Sequence, residues 1–234
     1  MRKLALALTL CLALAAGGGA QISFPLAPQV APEDVLAFLA TLPVPEELKE
    51  PLAGEMLAGM SEGRLSPGIA MAFLQALSQL SPQEQAQGLE VMLSALMGEM
   101  IVDQLLNEAL HGLRLASPWP QVLNILQLRL GLLSATQSVL SHHGLIPLRS
   151  AYSEAPPDLG CALLVLEVAW AIGDHLISGH SPADAAAMEE LIHARLTRLR
   201  GTLLPVQLVD PLLAQLSPAL VQEIVALALN PERR

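Results

Sequence analysis

From residue 32 onward the apolar positions recur three and four apart. Stretches such as VLAFLATL (35–42), IAMAFLQAL (69–77), VLNILQLRLGLL (122–133) and LGCALLVLEVAWAI (159–172) carry this spacing, and polar residues fill the gaps between them. That period belongs to helices with one or more buried faces, and no segment shows the strict alternation of a strand. Ala and Leu dominate, whereas the β-favouring residues are thin. The pattern predicts an all-α fold.

Proline marks where the helices begin. Ala31-Pro32, Val44-Pro45, Ser66-Pro67, Ser81-Pro82, Ser117-Pro118, Ser181-Pro182 and Ser217-Pro218 each precede an apolar-periodic run. A serine oxygen can accept one of the free amide hydrogens of a first turn. A proline in that turn has no amide to leave unpaired. Ser81 and Glu84 also have capping-box spacing. Helices are expected near 32–41, 45–60, 67–79, 82–112, 118–141, 159–177, 182–200, 204–215 and 218–229. The architecture is an irregular multi-helix bundle of about nine helices, or two packed helical lobes, 32–142 and 159–229, joined by a loop at 143–158. In that loop Pro156-Pro157 excludes helix.

The ends read differently. Residues 1–20 have a short positive start (Arg2, Lys3), an apolar run and small residues at Gly18-Gly19-Ala20. This is the layout of a secretory signal peptide cleaved after Ala20. Residues 21–31 are expected to be extended, 32–229 to form one helical domain, and 230–234 to be flexible. The expected location is secreted or periplasmic, with no transmembrane span once the leader is removed. Cys161 then remains as the single thiol, so no intrachain disulfide is expected, and its apolar setting points to a buried position.

Charge narrows the function classes. The chain carries a formal −10, and −12 once the two cations of the leader are subtracted. Such a surface repels phosphate backbones, so nucleic acid is not an expected partner. Charged residues are 15% of the chain and hydrophobic ones 53%. That balance calls for helices buried on several sides, or for apolar surface that meets a protein partner, an apolar ligand or a second copy of the chain.

Polar groups inside the apolar runs are the candidates for chemistry. Glu167 and Asp174 lie seven apart in 159–177 and share a helix face to within about 20°. Water is the first expectation for what they face; an arginine or a metal are the others. In 82–112, Glu99, Asp103, Asn107 and His111 step by four and read as a solvent-facing ladder. Two Glu-x-x-His spacings, Glu108/His111 and Glu190/His193, match the pairs that supply ligands in di-iron four-helix proteins, with Glu167 as a further carboxylate. Iron or another transition metal, in a metal-binding protein or an oxidoreductase, is therefore the alternative to a chain without a cofactor. The second Glu on a separate long helix is missing, which leaves that pattern incomplete. Arg195, Arg198 and Arg200 close 182–200, where the helix dipole favours cations.

No catalytic set stands out: neither G-x-S-x-G nor H-E-x-x-H occurs. Met56, Met60, Met71, Met92, Met97 and Met100 all precede residue 143, and flexible thioethers can line an adaptable apolar groove. The sequence thus points to an exported helical protein that binds a protein or an apolar ligand without catalysis, with the metal protein and an envelope scaffold as alternatives.

Overall fold

A computed structural model describes residues 30–147 and 158–230. The expected leader, most of the extended segment 21–31, the centre of the 143–158 loop and residues 231–234 lie outside the described residues. Ten α-helices are found there: α1 Pro32–Thr41, α2 Glu46–Ser61, α3 Pro67–Leu77, α4 Pro82–Met97, α5 Asp103–Arg114, α6 Trp119–His142, α7 Leu159–Ile177, α8 Ala185–Leu199, α9 Val206–Gln215 and α10 Pro218–Leu229. The fold is an irregular all-α bundle, with no strand among the described residues.

The proline-led starts hold in most places. Ser81 accepts from the Glu84 amide, and the Glu84 carboxylate accepts from the Ser81 amide in return. The Ser81 hydroxyl also donates to that carboxylate at 2.8 Å, and this bond first, then the one from the Ser81 amide, holds the Glu84 carboxyl below its usual range. Ser217 accepts from the Leu220 amide. Ser181 departs from expectation. It closes a turn to the Ala183 amide, and α8 begins three residues later than expected, capped by Asp184.

The helix expected over 82–112 is two helices. Glu99 takes a left-handed backbone (φ 55°), the Glu99 amide donates to the Leu96 carbonyl and the Met100 amide to that of Ala95. This pair of bonds is a Schellman ending, which usually places glycine at the left-handed position. The same ending closes α2 at Gly63, α6 at Gly144 and α7 at Gly179, and closes α5 at Ala116 (φ 55°). The break after α4 is then anchored from outside. Asp103, the first residue of α5, accepts from the Ser66 amide at 2.7 Å and the Ser66 hydroxyl at 2.5 Å, and the Val102 amide donates to the Arg64 carbonyl. The ladder Glu99–His111 therefore does not exist as one helix edge.

Helix α6 organises the packing. It lies against α4 and α5 on the N-terminal side and against α7 and α10 on the C-terminal side, an arrangement consistent with two packed groups of helices that share it. Helix α7 packs on α6, α8 and α9. By length and composition α7 is also apolar enough to cross a membrane, as is the bent pair α9–α10 taken together; 56% of the apolar window of α7 is buried within the bundle. Cys161 is buried in α7, as expected.

Candidate functional site

The carboxylates of α7 face arginines. Arg129 rises from α6, where its neighbours three and four residues away are Ile125, Leu126, Leu132 and Leu133, and it is only 3% exposed. A charged group so placed needs partners from other helices. Its Nε and Nη2 donate to the two oxygens of Glu108 on α5, at 2.9 and 3.0 Å. Nη2 also donates to Asp174 Oδ1 at 2.6 Å, and Nη1 to the Trp170 carbonyl at 3.1 Å. The guanidinium lies 4.7 Å from the centre of the Trp170 ring, a cation–π contact. This group can lie against the α7 backbone because residue 173 is glycine: a Cβ there would run into the Arg129 guanidinium.

A second arginine extends the chain of charges. Arg195 on α8 donates from Nε to Glu167 and from Nη1 to Asp174 Oδ2, the latter at 3.2 Å. The result is a continuous series, Glu108–Arg129–Asp174–Arg195–Glu167, tying four consecutive helices. Three carboxylates meet two arginines, and Asp174, the middle member, is half-exposed. Arginine suits this work because its planar fork can engage two carboxylates at once.

The sequence-derived metal set is not brought together. Glu108 and Glu167 are engaged by Arg129 and Arg195, and His111, Glu190 and His193 are exposed. Among the described residues no group of three or more His, Cys, Asp and Glu side chains is placed to hold a metal ion. The methionines also disperse: Met56, Met92 and Met100 are core residues, Met60 and Met71 pack partly buried against the core, and Met97 is exposed. None of them is among the lining residues of the three clefts described below. Expecting water opposite Glu167 and Asp174 missed the arginines, although one sequence signal could have found the first. Arg129 is a lone cation with no acid three or four residues away on its own helix.

Beside the charge series lies an open cleft of about 240 Å³ between α7 and α8, lined by Ala171, Asp174, Leu191, Ala194, Arg195 and Arg198. Leu191, Ala194, Arg195 and Arg198 recur at i, i+3, i+4 and i+7 and so form one face of α8. Leu191 is 45% exposed there. A cleft of similar size, about 250 Å³, lies by the His143–Glu223 contact between the end of α6 and α10, and one of about 60 Å³ lies between α5 and α6. Of these three, the α7–α8 cleft alone has arginines on its wall.

Near the end of α7, His175 is buried and stacks on His180, ring centres 4.5 Å apart, and no hydrogen-bond partner meets its Nε2 among the described residues. Asp158 caps the other end of the helix through the Gly160 and Cys161 amides.

No protein-family model matches the chain, and neither a curated protein nor a solved structure matches it.

Proposed function

We propose that this is an exported, non-enzymatic binding protein, and that the α7–α8 cleft receives a small apolar group of a ligand or protein partner. The observation that carries the reading is a large apolar side chain, Leu191, left half-exposed in a cleft whose two helices are tied together beside it. Arg195 cannot swing away from α7 without leaving both Glu167 and Asp174. A fixed wall lowers the ordering cost of binding. At about 240 Å³ the cleft lies just below the range of drug-sized pockets, about 300–1,000 Å³, which suits one side chain or a short chain of carbons. The leader-like layout of residues 1–20 supports the export part of this reading.

The test uses protein purified without detergent. Native mass spectrometry and titration with small apolar probes, followed by amide NMR shifts, are expected to place binding at Ala171, Leu191 and Ala194. A protein that carries no ligand and whose cleft amides stay still with every probe would refute the reading.

A further inference from the structure

We infer that the α7–α8 cleft selects ligands that carry a carboxylate on a short apolar group. This deepens the binding function proposed above and rests on it. Three observations support the choice of ligand.

First, Arg195 is held in place by two carboxylates with one nitrogen left uncommitted. Its Nε and Nη1 are used by Glu167 and Asp174, while Nη2 meets no acceptor among the described residues. Holding a guanidinium in advance removes much of the side-chain entropy that binding an anion otherwise costs.

Second, Arg198 follows one turn later on the same wall of the cleft and has no ion-pair partner among the described residues. Arg64, Arg129, Arg195 and Arg200 have carboxylate partners, whereas Arg114, at the end of α5 and outside the cleft, shares with Arg198 the lack of one among the described residues.

Third, Asp174 does not block an incoming anion. Although it lines the cleft, one of its oxygens accepts from Arg129 and the other from Arg195, so both are occupied by cations. Arg195 Nη2 and Arg198 are the donors left over at the cleft, and the rest of its lining is Ala171, Leu191 and Ala194.

The site would hold the carboxylate between Arg195 Nη2 and Arg198, with the apolar part against Leu191. A volume of about 240 Å³ corresponds to about eight water volumes, so the apolar part is short. A free short-chain fatty acid and the carboxyl-terminal residue of a peptide both present this chemistry.

The experiment is an NMR titration of the intact protein with hexanoate and N-acetyl-leucine, each paired with its uncharged counterpart, hexanol and N-acetyl-leucinamide. Shifts at Leu191, Arg195 and Arg198 are expected with the carboxylates, at least about fivefold tighter than with the neutral partners. In R198Q, with its fold checked by circular dichroism, the ratio of carboxylate to neutral affinity should fall towards one. Hexanoate alone, N-acetyl-leucine alone or both can show the advantage, which identifies the source of the carboxylate. Equal binding of charged and neutral partners, or an advantage that survives in R198Q, overturns the carboxylate inference and leaves an apolar cleft. Silence from all four compounds overturns both that inference and the binding function.

Discussion

Replacing Arg129 with methionine tests the charge series most directly. Methionine keeps an unbranched apolar stem but removes five donors and the charge. The wild-type group makes four hydrogen bonds and one contact with an aromatic face. Breaking a fully buried ion pair from one side costs about 3–5 kcal/mol, because the abandoned charge stays unpaired out of water. Here the abandoned carboxylates can recover some hydration: the Glu108 side chain is 25% exposed and that of Asp174 52%. Asp174 also keeps Arg195. The expected loss is therefore below that range, about 2–3 kcal/mol, or about 5–10 °C in Tm for a domain of this size. Urea denaturation followed by circular dichroism measures it. The companion variant E108L should cost less in the R129M background than alone, since the double change replaces a buried pair with apolar side chains. A loss under about 0.5 kcal/mol for R129M, or strict additivity of the two changes, would refute the claim that these charges hold α5, α6 and α7 together.

Three further outcomes follow from individual positions. G173A should destabilise by about 2 kcal/mol or more, since its methyl group meets the Arg129 guanidinium; the cost should shrink in R129M, as a double-mutant cycle would show. A116G should stabilise by about 0.5–1 kcal/mol in the same urea assay, because Ala116 ends α5 in a left-handed conformation that glycine adopts without strain. The Cys161 thiol is pushed up to about 11, first by burial and then by its hydrogen bond to the Asp158 carboxylate, so iodoacetamide at pH 8 should label it slowly in the folded protein and quickly in urea. The same shift sets a sign for stability. The unfolded thiol ionises from about pH 8.5 while the folded one keeps its proton, so this contribution is complete below that pH and is lost as pH rises towards 11.

Helices α1, α7 and α10 are legible in the amino-acid sequence. They fall where periodicity and the residues before them place them, because a cap and a proline act within one turn. The break between α4 and α5 is not legible in the same way. Gly98 stands one position before the left-handed residue, and Glu99 takes a conformation that side chains other than glycine seldom adopt. What allows it is distant in sequence: Asp103 is tied to Ser66, and Val102 to Arg64. The start of α8 moved for a local reason, since Asp184 took the capping position from Ser181.

The site shows the same division. That Glu167 and Asp174 share a face follows from the helical repeat, and the sequence alone determined it. It also determined the all-α class, most of the helix starts, the acidic balance and the apolar character of α7. Local hydrogen bonding and the period of 3.6 residues depend on neighbours a few positions apart, so they can be read from a string of residues. What faces those carboxylates depends on the rotation and crossing of α5, α6, α7 and α8. Only the tertiary structure could bring Arg129 across from α6 and Arg195 from α8, separate Glu108 and Glu167 from the histidines, bury three of the methionines and leave Leu191 and Arg198 on an open cleft. Pairing between helices is set by how their buried faces pack as a whole, and no short-range spacing records that choice.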